Sequence, residues 1–283
     1  MLWPEVGFTK GEMIDYYARI ADAILPHIRA RPMTLKRYPN GVDEAFFYEK
    51  QVPSHRPEWV ASTSVYSRSN DRNIDYVLVQ DLPTLTWLAN LAALELHASL
   101  SRAGASLVPD SVVFDLDPGP PAGLLECCRV ALLLRETLAH LGLECVAKTS
   151  GSKGMQLYVP LNTPCDYDRS KGFANALARL LERQHPQLVV SNMSKAVRPG
   201  KVFIDWSQND DHKTTIAVYS LRAREQPMVS TPLHWHEVEA AGRSADAARA
   251  LTFEAGRVLE RVSRDGDIFA PLLTLQQALP TLG

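Results

Sequence analysis

The stretch VVFDLDPGP, residues 112–120, allows few folds. Proline and glycine at 118–120 cannot continue a helix, and the β-branched and aromatic residues before them favour a pleated strand. Side chains alternate along a strand, so Val113, Asp115 and Asp117 share one face while Val112, Phe114 and Leu116 share the other. Two neighbouring carboxylates on an apolar strand are costly to bury unless something pairs with them. Taken alone, D-x-D reads most simply as the cap of the turn that DPGP makes. The alternative is a hard divalent cation between the two, magnesium or manganese, which takes oxygen ligands and keeps waters for a phosphate substrate. VFIDWSQND places a third aspartate, Asp205, in a second apolar strand, and three strand-borne carboxylates suit the two-metal clamp of phosphoryl and nucleotidyl transfer.

KTSGSKGMQLY, residues 148–158, shifts the balance toward the cation. Ser150, Gly151, Ser152, Lys153 and Gly154 join two strand-like runs. Small residues with free N–H groups can wrap an anion, hydroxyls can donate to it, and lysine supplies a point charge. A strand, not a helix, follows the loop, so it is not a Walker A loop. By itself it reads as a flexible hairpin tip with a solvated lysine; beside the acidic strands, a phosphate site is the more economical reading.

The surrounding chain alternates strands and helices. Thr9 and Glu12 form a capping-box pattern, and Ile14, Tyr17, Ile20, Ala21, Ile24, Leu25 and Ile28 continue at the helical period. Further helices are expected at 84–99, at 122–141 with Leu125, Cys128, Leu132 and Leu138 inward and Gly142 as its stop, and from Asp168 to before Pro186 with Phe173, Leu177, Leu180 and Leu181 inward. Strands are expected at 111–117, 143–149, 155–161, 201–206 and 214–219. This is an α/β or α+β chain. Residues 30–81 read as short strands and turns, a smaller N-terminal subdomain.

Composition excludes little. The 283 residues are 46% hydrophobic and 22% charged, ordinary for a globular chain with a sizeable core. The net charge of −2 announces no polyanion partner, but nucleic-acid binding needs only a locally basic surface, and residues 190–224 are rich in Lys and Arg. Cys127, Cys128, Cys145 and Cys165 form no C-x-x-C pair, so neither zinc nor a disulfide framework is indicated. MLWPEVGFTKGE is not a signal-peptide pattern, and no apolar run is long enough to span a bilayer; a cytoplasmic location is expected. Lys195, Arg198, Arg222 and Arg224 are candidate partners for a triphosphate or a nucleic-acid backbone, with Lys36 and Arg37 further upstream. Of the adjacent rings Phe46 and Phe47, one is expected to pack inward and the other to be available for stacking on a base.

LKRYPNGVDEAFFYEKQVPSHRPEWV, VVFDLDPGP, TSGSKGMQLYVPL, SNMSKAVRPGKVFIDWSQND and TTIAVYSLRAR, in that order, resemble the polymerase domain of bacterial ligase D, of the archaeo-eukaryotic primase superfamily. The resemblance covers essentially the whole chain. It implies one primase-polymerase domain over residues 1–283, with mixed or antiparallel central sheets flanked by helices, N-terminal subdomain elements near 30–81 and a catalytic core near 110–225. No ligase or nuclease module accompanies it, as in a stand-alone or excised domain. The implied activity is template-dependent addition of nucleotides, often ribonucleotides, to a primer 3′-hydroxyl at DNA ends, gaps and overhangs during non-homologous end joining. The implied partners are nucleoside triphosphates, Ku and a DNA ligase, with two manganese or magnesium ions and a place at the nucleoid.

Carried over position by position, the resemblance makes Asp115, Asp117 and Asp205 the metal-binding carboxylates. Ser150, Gly151, Ser152, Lys153 and Gly154, assisted by Lys36, hold the incoming triphosphate. His97, Gln208, Arg222 and Arg224 belong to the nucleotide pocket, and Phe46 or Phe47 stacks on the base. Arg198, with Lys195, lies in the loop that arranges the primer terminus. Alternative readings are a primase that starts chains without a primer and an end-binding or bridging module with weakened catalysis.

Two departures bear on function. The family carries roughly twenty further residues ahead of LWPEVGFTKGE, including a basic contact to the 5′-phosphate across a gap; Lys10 is the matching contact here, and reduced 5′-phosphate dependence is expected. The family loop ends S-G-S-K-G-x-His, where this chain has Gln156. Glutamine donates a neutral hydrogen bond and cannot become cationic, so weaker nucleotide binding or altered catalysis is expected. Gln156→His should therefore change the kinetics of nucleotide addition, and unchanged KM and kcat would remove charge from the role of that position.

Overall fold

A computed structural model describes residues 1–67 and 70–281. In chain order the elements are α1 (Lys10–Arg19), α2 (Ala21–Ile28), β1 (Met33–Arg37), β2 (Phe47–Glu49), β3 (Ser62–Ser67), β4 (Arg72–Val77), α3 (Leu82–Asn90), β5 (Ala93–Ala98) and β6 (Ser111–Pro118). There follow α4 (Leu124–His140), β7 (Val146–Thr149), β8 (Met155–Pro160), α5 (Tyr167–Gln184), β9 (Val189–Val190), β10 (Val202–Asp205), β11 (Thr215–Ile216), β12 (Leu221–Ala223) and β13 (Pro227–Val229). The last are β14 (Pro232–Leu233), α6 (Trp235–Ala241), α7 (Ala245–Arg249), α8 (Ala255–Asp265) and α9 (Pro271–Thr274). Among the described residues no helix is long and apolar enough to cross a membrane.

The chain forms two compact units. The first comprises Met1–Ser106, His212–Ser230 and Glu254–Asp267; the second comprises Leu107–Asp211, Thr231–Phe253 and Ile268–Gly283.

In the first unit the sheet order is β11-β5-β1-β4-β3, with β2 also on β1. The expected capping box is present: Thr9 Oγ1 accepts from the Glu12 amide at 3.1 Å, and Glu12 Oε2 accepts from the Thr9 amide at 2.7 Å. The apolar stripe that follows is carried by two helices broken at Ile20, not by one. Pro26 lacks the N–H that the Asp22 carbonyl would receive, which keeps the second helix short. Tyr16 and Tyr17 are buried and place their hydroxyls on the carbonyls of Tyr219 and Leu94, at 2.8 and 2.7 Å.

The helix expected at 84–99 is corrected by the structure. Asp81 caps α3, accepting from the Thr84 amide at 2.9 Å, and the helix ends at Asn90. Ala92 turns the chain with φ 57°, and residues 93–98 become β5, paired with β1 from Met33↔Ala98 to Arg37↔Ala93. A short run of alternating apolar residues fits either period; pairing with two neighbouring strands decides it.

In the second unit the sheet order is β14-β7-β8-β6-β10-β9. β6 is central and antiparallel to both β8 and β10. The α4 face buries Cys127, Cys128, Ala131, Leu134 and Leu138, so the stripe is shifted slightly from the expected one; Leu125 and Leu132 are only partly covered. α5 buries Phe173, Leu177 and Leu181 as expected, while Leu180, expected with them, is only partly covered. Gly142, at φ 73°, follows the end of α4, and the Leu143 amide returns to the Leu138 carbonyl at 2.9 Å.

β10 leaves the β6 ladder after Asp205, and the chain makes a 3-10 turn at Trp206–Gln208. The side chain of Asn209 then takes the place of the missing strand. Its Oδ1 accepts from the Val113 amide at 2.8 Å, and its Nδ2 donates to the Val113 carbonyl at 2.7 Å. Asn209 is fully buried, so its loss would strand two backbone groups two residues from Asp115. Asn209→Ala is expected to destabilise the fold by about 2–4 kcal/mol, read as a lower urea midpoint at unchanged m-value; a parent-like midpoint would show that the ladder does not need it.

Candidate functional site

In the second unit, antiparallel register builds the acidic site. Asp205 lies opposite Asp115, Asp115 opposite Gln156, and Gln156 opposite Lys148. Residues opposite one another share a face, so β7, β8, β6 and β10 carry one polar row: Lys148, Gln156, Asp115, Asp205. Asp117, two residues along, adds an exposed carboxylate on the same face. Lys148 and Gln156 are buried, and Asp115 and Asp205 are partly covered.

Each carboxylate has a defined environment. Asp205 Oδ1 accepts from the Ser207 amide at 3.0 Å and from its hydroxyl, and Oδ2 accepts from Gln208 Nε2 at 3.1 Å. Burial first, and then the Asp117 charge, push the Asp115 carboxyl up to about 7 against a hydrogen bond from Gln156. Asp205 adds to the rise and Lys148 counters it. Gln156 Oε1 in turn accepts from the Tyr158 hydroxyl at 3.2 Å.

The loop at 150–154 is tied to this strand. The Ser150 hydroxyl oxygen accepts from the amides of Ser152 and Gly154 at 3.2 and 3.3 Å, and the Ser150 amide donates to the Gly154 carbonyl at 2.9 Å. Those contacts occupy the oxygen and leave the hydroxyl proton to donate. Gly151 takes φ 69°, and Lys153 is exposed. A Cβ on Gly154 would lie 2.0 Å from the Leu116 carbonyl oxygen, so only glycine lets the loop rest on the strand between Asp115 and Asp117. Gly119 plays the same part for the turn: a Cβ there would lie 2.2 Å from the Arg198 carbonyl oxygen. Arg198 stacks on Phe203 at 3.8 Å and donates to the Met193 carbonyl at 2.6 Å, while Lys195 is exposed.

The oxygen donors fit a divalent cation. Three carboxylates converge by register, and the most covered of them is disfavoured as an anion by burial and by its acidic neighbours. A second acidic group, Asp210, Asp211 and His212, brings ligand atoms within 4.8 Å of one another. Lys171 already holds Asp210 at 2.6 Å, which makes this group the poorer cation site.

The first unit gathers the remaining candidates except Gln208. Lys36 lies opposite both Glu95 and Tyr48. Its ammonium is 3.6 Å from Glu95, 3.9 Å from the Phe46 ring centroid, and 5.0 and 5.8 Å from those of Tyr38 and Tyr48. His97 Nε2 and Arg222 Nε reach the same Glu95 carboxylate at 3.1 and 3.6 Å. Phe46 and Phe47 are 50% and 43% exposed, so neither packs inward as one was expected to. Instead Lys36 covers one ring, and Arg37 lies 5.1 Å from the other while pairing with Glu49 at 2.9 Å. Arg224 and Lys10 are exposed.

Sequence reasoning missed Glu95. The signal was the alternation E-L-H after a helix end, which becomes visible once 93–98 is treated as a strand facing Lys36.

The family model for the LigD primase-polymerase domain matches residues 9–269. The multifunctional non-homologous end joining protein LigD of Mycolicibacterium smegmatis is 41% identical over 274 residues, covering 96% of this chain and 35% of that protein. Its Mycobacterium tuberculosis counterpart is 41% identical over 280 residues, covering 96% and 36%. The bifunctional LigD of Bacillus subtilis is 31% identical over 259 residues, covering 91% and 40%. The chain thus spans little more than a third of the length of these curated relatives. Among solved structures, the polymerase domain from Mycobacterium tuberculosis ligase D in complex with DNA superposes with a TM-score of 0.90 at 38% identity, covering 98% of this chain and 96% of that one.

The raised Asp115 carboxyl has a measurable sign. Its ordinary value is 3.8 and its folded value about 7, so between these the folded state binds the extra proton and stability falls as pH rises. Without divalent metal, the parent melt should drop between about pH 4 and 7 relative to Asp115→Asn, and divalent metal should restore the parent near neutrality. The same pH slope in both proteins would overturn this assignment.

Proposed function

Since the chain belongs to the LigD primase-polymerase domain family, we propose that it is a template-dependent nucleotidyltransferase that fills gaps and extends DNA ends in non-homologous end joining. The observation that carries the reading is the Asp115–Asp205 register, with a phosphate-type loop seated by Gly154 on the strand between Asp115 and Asp117. The names of the relatives support the repair role, and the DNA bound by the structural neighbour supports DNA as the substrate. Nucleoside triphosphates, including ribonucleotides, are the second substrate; Ku and a DNA ligase are the partners; and the protein works on cytoplasmic DNA at the nucleoid.

In this reaction the primer 3′-hydroxyl gives up its proton to solvent, its oxygen bonds to the α-phosphorus, the α–β phosphoanhydride bond breaks, and pyrophosphate leaves. Asp115, Asp117 and Asp205 would hold two magnesium or manganese ions. Such ions lower the pKa of the attacking hydroxyl and stabilise the departing oxygens. Gln156 orients Asp115, and Ser207 with Gln208 orients Asp205. Ser150 and Ser152 donate to the triphosphate, with Gly151 and Gly154 shaping the loop and Lys153 adding charge. Lys36, His97, Arg222 and Arg224 neutralise the nucleotide, and an exposed Phe46 or Phe47 ring takes the base. Arg198 and Lys195 set the primer end, and Lys10 contacts the 5′-phosphate across a gap. No side-chain general base is required. Gln156, buried and bonded on both sides, supports an organised site over a degenerate bridging module.

Labelled nucleotides and manganese, supplied with single-stranded, gapped and overhanging templates in parallel, test the reading. Addition is expected on primed gaps and overhangs, and products on the unprimed single strand would favour chain initiation. Asp115→Ala and Asp205→Ala should each lower addition by about a thousandfold or more with a parent-like circular dichroism spectrum. Retained activity would refute the metal assignment.

A further inference from the structure

Glu95 is not among the residues carried over from the family, and four groups reach its carboxylate. It is 2% exposed. Its oxygens receive the Ala223 amide at 3.1 Å and His97 Nε2 at 3.1 Å, with Lys36 Nζ and Arg222 Nε both at 3.6 Å. The partners come from three strands: Lys36 from β1, His97 from β5 itself, and Arg222 with Ala223 from β12.

We propose that Glu95 is a positioning residue for the nucleotide pocket, a buried anion that holds Lys36, His97 and Arg222 in the arrangement a triphosphate meets. The inference rests on the reading of those three residues as nucleotide contacts. Long cationic side chains crowded together repel one another and lose rotamer freedom when fixed. One shared carboxylate offsets both effects, while a single negative charge against Lys36 and Arg222 leaves the cluster positive for a phosphate ligand.

The contacts are specific in kind. A carboxylate only accepts, so His97 must donate through Nε2, which leaves Nδ1 facing away from Glu95. Lys36 is confined by Glu95 together with the faces of Phe46, Tyr38 and Tyr48. Arg222 Nε is buried and makes no hydrogen bond among the described residues. Glu95 holds it by charge at 3.6 Å. The Ala223 amide fastens the next residue of the same strand to Glu95 Oε1, so β12 is held by backbone as well as side chain.

Glu95 stays ionised through these partners. Burial alone would raise its carboxyl; the His97 hydrogen bond, Arg222 and Lys36 outweigh burial and bring it down to about 2. The other titratable groups facing it, Tyr17, Tyr38 and Tyr48, stay neutral, since burial and the Glu95 charge push each phenol up. For His97, burial lowers the imidazole, Glu95 opposes this, and Arg222 and Lys36 reinforce it.

The test compares Glu95→Gln, Glu95→Asp, Lys36→Met and Arg222→Met. Steady-state addition on a primed gap, thermal melts and the NMR titration of the nucleotide-free His97 imidazole are the readouts. Glu95→Gln keeps the shape and removes the charge. It should raise the nucleotide KM by about tenfold or more while kcat stays within about threefold, and His97 should titrate lower than in the parent. Glu95→Asp keeps the charge on a shorter stem and should recover part of the KM and most of the His97 titration. An unchanged or lower KM in Glu95→Gln, with Lys36→Met and Arg222→Met both raising it, overturns the positioning role and leaves the pocket reading standing. An unchanged KM in Lys36→Met and Arg222→Met overturns the pocket reading and the positioning role together. If Glu95→Gln gives no cooperative melt, Glu95→Asp decides: a raised KM with a parent-like melt supports the role, and a parent-like KM overturns it.

Discussion

Antiparallel register is the constraint on which the polar chemistry of both units depends. A strand puts every second side chain on one face, and an antiparallel neighbour puts a chosen residue directly beside it. In the second unit this aligns Lys148, Gln156, Asp115 and Asp205 across four strands. In the first it aligns Tyr48, Lys36 and Glu95 across three. A slip of one residue would turn an entire strand's polar side chains to the opposite face. The apolar residues between them, such as Phe114, Leu116, Leu94 and Leu96, are fully buried, and they fix the register because a slip would expose them.

Backbone contacts that tolerate no extra atom complete the second unit's site. Gly154 lies on the carbonyl of Leu116 and Gly119 on that of Arg198, so the loop and the basic turn are placed by close approach rather than by long side chains. Asn209 closes the ladder where β10 turns away, with two bonds to Val113. Loop, turn and carboxylates are thus referenced to one strand, which holds reactive groups in place better than a loop alone would.

What could be read from the sequence follows the same division. Period-2 alternation put Asp115 and Asp117 on one face without any structure, and the capping box at Thr9 and the stop at Gly142 stood in plain sight because they are local. Pairing between distant strands was not legible. Nothing in VFIDWSQND says that Asp205 stands opposite Asp115 rather than Asp117. The same limit hid Glu95. On a helix residues 95 and 97 point in divergent directions, whereas on β5 they share a face, so assigning the wrong period at 84–99 separated two side chains that touch. Phe46 and Phe47 failed for a related reason: burial of one ring was inferred from alternation, but cations cover both rings and make their exposure tolerable.

Two covered carboxylates therefore sit at opposite ends of the scale. Glu95 is brought down to about 2 because protein cations and an imidazole donor surround it. Asp115 is pushed up to about 7 because burial and two acidic neighbours outweigh Gln156 and Lys148. Burial works in the same direction on both, so the difference lies in the charges nearby. A carboxylate whose charge the fold already satisfies has a structural task, which for Glu95 is to hold the groups around it. A carboxylate left at odds with its surroundings, at a cost in stability, fits a site completed from outside, and the ligand that relieves it must be cationic. The direction of each shift thus separates an anion satisfied by protein cations from one that a bound cation would relieve.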